Sequence, residues 1–176
     1  VFDGVDGTRI TTPYSADFST TTVDFTIDFW IKTTQSSYGI ITYQGDTSGT
    51  QATLNHLIKI NAGVLQWTPN YEFFPSNNWL SSLAAVNDNK WHHVACVRNG
   101  DVFTLYIDGV SQATVTLTSY SCVSSSEEFC IGEHAGPYVP YAGYIDSFRF
   151  SNGIARWTTG FTITHQSFKI TIDKTK

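Results

Sequence analysis

Residues 91–117 read WHHVACVRNGDVFTLYIDGVSQATVTL, three extended runs broken at Asn99-Gly100 and Asp108-Gly109. Both dipeptides supply the positive φ angles that two-residue hairpin turns require. The runs are too short for helices and rich in Val, Ile, Phe, Tyr and Thr, residues that suit a pleated surface. The stretch therefore predicts three consecutive antiparallel strands at the centre of the chain. Everything else must pack on or beside them.

The flanking segments repeat the pattern. Residues 23–32, VDFTIDFWIK, place Val23, Phe25, Ile27, Phe29 and Ile31 on one face and Asp24, Thr26, Asp28, Trp30 and Lys32 on the other. Strict alternation of this kind predicts a strand with one face on a core and one face wet. YGIITY (38–43) is a further strand, and 56–60 with 64–68 form a hairpin about Asn61-Ala62-Gly63. The segment 67–79, WTPNYEFFPSNNW, has two prolines, many rings and no clean period, and reads as a long loop. Residues 120–128 are Ser-rich and turn-like, 129–132 form a short strand, and 132–143 make a second aromatic loop. YIDSFRFS (144–151) alternates again, with an irregularity near Asp146-Ser147. Ala155 to Thr159 suits one helical turn, and 161–172 is strand-like. A dozen short strands with no helix of ordinary length predict an all-β, two-sheet antiparallel jelly-roll sandwich.

Composition bounds the function. At 176 residues the chain is one domain, long enough to bury a core without staples. Aromatic residues make up 15% and charged residues only 14%, as expected where outward faces carry hydroxyls. A net charge of -5 with ten Lys and Arg argues against nucleic acid, which requires a clustered basic face. No run has the length of a membrane-spanning helix. The chain opens without Met, directly in the strand-like VFDG, and reads as a piece of a larger protein. Of three cysteines, Cys96 lies mid-strand as a small apolar residue; Cys122 and Cys130 either close a small disulfide or remain two thiols.

FDG near the start, FTIDFWIK, WHHVACVRNG with LYIDGV, and GYIDSFRFSNGIARWT near the end, four segments in order over nearly the whole chain, resemble the laminin G-like, concanavalin A-like lectin/glucanase superfamily. The versions embedded in bacteriophage tail and other virion proteins are the most similar. The resemblance implies a single laminin G-like jelly-roll domain on a virion or other extracellular surface. It also implies glycan binding at a rim of loops, often beside a calcium ion, and a strand-closing corner at Arg156-Trp157.

Some members of that superfamily cleave glycans, which in retaining enzymes needs two carboxyl groups roughly 5 Å apart. The glucanase pattern of alternating Glu, Asp and Glu is missing here. Asp24 and Asp28, four apart on one strand, are separated by roughly 13 Å. Glu127-Glu128 points to opposite sides if extended, and no nucleophile elbow is present. The reading is therefore of a protein that is not an enzyme.

For calcium, the resemblance implies Asp3 and Asp146, with Asp6 as a lesser candidate, joining the N-terminal segment to the late Gly-x-Ile-Asp strand. The alternative is that Asp3 and Asp6 only shape Asp-Gly turns and Asp146 acts locally. His92 and His93 are adjacent, so on a strand they face opposite ways and cannot chelate one metal.

Sugars present C–H faces that stack on aromatic rings and hydroxyls that need fixed polar partners. In the two long loops the rings are Trp67, Tyr71, Trp79, Tyr138 and Tyr141; the polar neighbours are Asn70, Asn77, Asn78, Glu133 and His134. The alternative for each ring is that it seals an end of the sandwich. The expected partner is a glycan or cell-surface polysaccharide. A structural module contacting other virion subunits is the competing reading.

Overall fold

The computed structural model describes residues 1–18, 20–45, 54–69, 79–118, 122, 125–133 and 139–163. Twelve strands are formed among them. They are β1 (Phe2–Asp3), β2 (Ile10–Thr12), β3 (Phe25–Lys32), β4 (Gly39–Gln44), β5 (His56–Asn61) and β6 (Val64–Thr68), then β7 (Leu80–Ser81), β8 (His92–Asn99), β9 (Val102–Ile107), β10 (Val110–Thr116), β11 (Phe129–Ile131) and β12 (Ala142–Asn152). They make two six-stranded sheets, ordered β1-β12-β3-β8-β9-β10 and β2-β11-β4-β5-β6-β7. Every ladder within them is antiparallel. A single 3-10 turn, Ala16–Phe18, is the helical content among the described residues. The jelly-roll sandwich expected from the alternating runs is thus the fold.

The central meander forms as read, with one difference of register. Asn99 pairs with Val102, so the first turn is Gly100-Asp101 with φ +58 on Gly100. The second is Asp108-Gly109 as expected, both residues at positive φ (52° and 76°). Asp108 tolerates that conformation because its carboxylate is held by the backbone N–H of His93 at 2.8 Å.

Alternation fills the space between the sheets. Phe25, Ile27, Phe29 and Ile31 of β3 are fully buried against Ile41, Ile58, Ile60, Leu65 and Trp67 of the second sheet. Two smaller clusters lie on the outer faces. Ala95, Val97 and Tyr106 are covered by Ala155, Trp157 and Phe161, while Ile40, Tyr43, Leu57 and Cys130 are covered by Tyr38, Trp79 and Val139.

Two expectations change, and one open alternative is resolved. The second face of β3 is not wet at Thr26 and Asp28, which are 0% and 4% exposed. The segment after β12 lies over it: Thr26 donates to the Ile154 carbonyl at 2.8 Å, and Arg156 N–H donates to Thr26 at 3.0 Å. That segment is not helical between Ala155 and Thr159; Ala155, Trp157 and Phe161 pack instead against Ala95, Val97 and Tyr106 of the sheet. Cys122 and Cys130 form no disulfide and are buried, Cys122 in the core between the sheets and Cys130 on an outer face. Burial beside Glu128 pushes the Cys130 thiol up to about 12, so it stays protonated.

No helix among the described residues is long and apolar enough to cross a membrane.

Candidate functional site

The outer face of β3 carries the site. Side chains two apart on one strand share a face, and paired residues on neighbouring strands stand beside them. Trp30 has His93 of β8 on one side and Asp146 of β12 on the other. Asp28, two residues earlier, stands beside Arg149 of β12.

A β-bulge between Asp146 and Arg149 puts Arg149 there. Ser147 sits at φ +52, an uncommon conformation for a non-glycine residue, and the extra residue shifts the strand's phase. Arg149 then grips Asp28 with two hydrogen bonds, 2.9 Å from Nε and 2.8 Å from Nη2. His93 Nε2 approaches the same carboxylate at 3.6 Å. Burial alone would raise the Asp28 pKa, but the His93 and Arg149 contacts outweigh it and hold the carboxyl below its usual range. Bidentate pairing locks the Arg149 fork and leaves its side chain about half exposed, at 46%.

Aromatic rings wall this charged floor. Trp157 and Phe161 stack at 4.1 Å with an interplanar angle of 10°, and His93 meets both edge-on at 5.5 Å and 5.8 Å. Trp30 meets His93 at 5.3 Å. The half-open pocket they line is about 620 Å³, a size that takes a small ligand. Such a pocket offers ring faces to C–H surfaces and a half-exposed guanidinium donor.

The pocket's far wall depends on Gly109. Phe161 N–H donates to the Gly109 carbonyl at 2.9 Å, and a Cβ on Gly109 would overlap the Phe161 carbonyl. Gly109→Ala is therefore expected to lose about 1–2 kcal/mol from the positive φ alone and to lift the Phe161 wall. A thermal melt together with stronger acrylamide quenching of Trp157 checks it; quenching equal to wild type refutes the coupling.

The sequence-derived residues fall elsewhere. Trp67 is fully buried and meets Phe25 and Phe103, so it has no face for a sugar. Tyr141 is equally buried, its ring against Phe2. Both seal the sandwich. Trp79 lies over Lys59, with Nζ 3.6 Å from the ring centroid, and Tyr38 covers the same ammonium at 4.7 Å. Glu133 is buried: Oε2 accepts the Gly7 N–H at 2.8 Å, and Oε1 has no hydrogen-bond partner. Burial and the neighbouring Asp6 carboxyl raise its pKa. Asn70, Tyr71, Asn77, Asn78, His134 and Tyr138 lie outside the described residues.

Asp3 and Asp146 do not share a calcium site. Asp3 pairs with Ala142, four residues before Asp146 on β12, which separates them by roughly 13 Å. Asp3 Oδ1 accepts from Val5 N–H and Thr8 hydroxyl, and Asp146 Oδ1 accepts from Ser147 N–H, so each shapes its own backbone. Among the described residues no three His, Cys, Asp or Glu side chains converge to hold a metal. The former catalytic candidates are likewise engaged, Asp24 with the Gly100 N–H and Asp28 with Arg149.

Comparison with protein families matches residues 3–157 to the concanavalin A-like lectin/glucanases superfamily, in its laminin G-like group. The chain belongs to this superfamily. Among solved structures this laminin G-like domain is similar to the SAP-like pentraxin of Limulus polyphemus, with 15% identity, 85% of this chain and 73% of that chain covered, and a TM-score of 0.60. It is also similar to the CBM40 of the Ruminococcus gnavus IT-sialidase, with 16% identity, 89% and 92% covered, and a TM-score of 0.65. A third is the receptor-binding domain of botulinum neurotoxin D, with 17% identity, 85% of this chain but 39% of that chain, and a TM-score of 0.60. Such identities speak for the shared fold alone. The superfamily's neighbours here are mostly binding domains, carbohydrate-binding and receptor-binding ones among them. No curated protein sequence matches the chain.

The pocket residues were only partly legible beforehand. Asp28 and Trp30 were placed on the outward face by alternation, but Arg149 depends on the phase of a bulge. Trp157, which the resemblance implies is a corner residue, packs over Ala95, Val97 and Tyr106 and walls the pocket.

Proposed function

We propose that this domain is a non-enzymatic carbohydrate-recognition module of a virion or other extracellular surface. It binds sugar in the pocket between Trp30, Trp157 and the Asp28–Arg149 pair. The single observation behind this reading is a buried carboxylate gripped in bidentate fashion by a half-exposed guanidinium, beside a pocket walled by aromatic rings. Rings supply the apolar contact a pyranose needs, and the fixed charges supply oriented hydrogen bonds. Both groups are pre-positioned by strand register, so little ordering entropy opposes binding. The relatives support it, since a sialidase's CBM40 and a toxin's receptor-binding domain share the fold. Binding is favoured over cleavage because Asp28 is committed to Arg149, and no second carboxylate lines the pocket among the described residues.

A glycan array of mono- to hexasaccharides tests the reading. Wild-type protein is expected to retain a defined set of glycans. Trp30→Ala is expected to weaken that binding about 10-fold, the loss of one buried ring contact, with an unchanged far-UV spectrum. Retention of no glycan would overturn the proposal in favour of an assembly module.

A further inference from the structure

The outward face of β3 continues past the pocket. Lys32 lies two residues beyond Trp30, and Tyr144 of β12 stands opposite it. Trp91, immediately before β8, completes the row: its ring meets Tyr144 edge to face at 6.1 Å. The Lys32 ammonium lies 5.9 Å from the Tyr144 ring centroid. Trp91 and Tyr144 are 39% and 45% exposed, so neither ring is used up in the core. Lys32 has no carboxylate within ion-pair distance among the described residues. Asp146, opposite Trp30, stands between this row and the pocket. A single exposed ring needs no explanation; two in contact, beside an unpaired ammonium and continuous with a ring-walled pocket, form a surface.

We infer that the Lys32–Tyr144–Trp91 row is a second subsite and that the ligand is a neutral linear oligosaccharide lying along β3. The inference rests on the recognition reading above and specifies its ligand. The step from Trp30 to Lys32 is roughly 6.6 Å along the strand, the scale of one sugar ring, so successive units meet successive aromatic stations. Trp91 and Tyr144 take the C–H face of the second unit. Lys32 donates to its hydroxyls and Asp146 accepts from them. Charges of both signs along the row, Lys32 and Asp146, favour a neutral chain.

Isothermal titration of the full chain against matched series of one to six units, from cello-, xylo-, chito- and galacto-oligosaccharides, tests this. For the series that binds, affinity is expected to climb about 5- to 10-fold between one and three units and then level. The double variant Trp91→Ala/Tyr144→Ala is expected to keep the affinity for the shortest ligand and lose the climb. Trp91→Phe/Tyr144→Phe restores it, which separates ring stacking from any fold defect. A climb that persists in the alanine double variant, or wild-type affinity independent of length, overturns the second subsite while leaving the pocket reading intact. If no series binds the wild type, the recognition reading itself falls, and the subsite with it.

Discussion

Replacing Trp67 with alanine is expected to destabilise the fold by about 3–5 kcal/mol, the usual range for emptying an aromatic site in a core. The ring is fully buried between the sheets, against Phe25 and Phe103. A cavity there cannot collapse easily, because strands on both sides are fixed by their own ladders. Trp67→Phe is expected to behave very differently. The indole Nε1 is buried without a hydrogen-bond partner, so phenylalanine removes an unsatisfied donor along with part of the ring volume. The two effects oppose, and the loss should stay well below that of alanine. Equilibrium urea unfolding of the three proteins checks both. A Trp67→Ala protein as stable as wild type, but unable to bind glycan, would return this residue to the ligand site.

Acidification is expected to weaken the domain by about 1.4 kcal/mol for each pH unit below 6.5, the slope of one uncompensated proton. The source is His56. Its Nε2 lies 3.1 Å from the Thr20 hydroxyl, and that hydroxyl lies 3.4 Å from Asn55 Oδ1. Asn55 in turn donates to Gln44 Oε1 and the Phe18 carbonyl. With Thr20 donating to Asn55, His56 donates from Nε2, and Nδ1 is left without a partner between Phe25 and Phe150. A second proton would place a charge in an apolar core, so burial pushes the His56 pKa down to about 3 from the ordinary 6.5. Between those values the unfolded chain holds a proton that the folded chain does not. The stabilisation is complete above 6.5 and is lost as pH falls towards 3, on the order of 5 kcal/mol in all.

His92 has the opposite sign. Burial lowers its pKa, but Asp108 at 2.7 Å and Asp88 at 2.9 Å outweigh that and raise it. Its contribution is present below the ordinary histidine pKa and fades as pH rises through the raised value, and solvent keeps it small. Stability should therefore peak near neutrality. Chemical unfolding from pH 5 to 6.5, above the range of ordinary carboxylates, isolates the His56 effect. His56→Gln should flatten the slope there, and an unchanged slope in that variant would assign the acid sensitivity elsewhere.

The contrast between the two histidines marks the boundary of sequence reasoning here. Neither has a distinctive neighbour pattern in the chain. One becomes a core group because β5 faces Phe25, and the other becomes a half-buried clasp because β8 begins beside the Asp108 turn. Trp67 teaches the same lesson. It falls where the strand 64–68 overlaps the ring-rich segment 67–79, and its ring reads as a loop candidate for sugar, yet in β6 it points inward with Leu65. Ring density in a segment reports apolar surface; it does not say which side of the sandwich will hold it.

By itself the chain determined the strands, the turn at Asp108-Gly109, the inward set of β3 and the sandwich class, because period-two alternation and turn chemistry act between near neighbours. Tertiary structure alone decided the site. Asp28 meets Arg149 across 121 positions of chain only because a bulge at Ser147 changes the phase of β12. Trp157 and Phe161 become a wall only because Gly109 lets the trailing segment approach the sheet. Register and close backbone approach are long-range geometric facts, with no periodic signature in the residues that obey them.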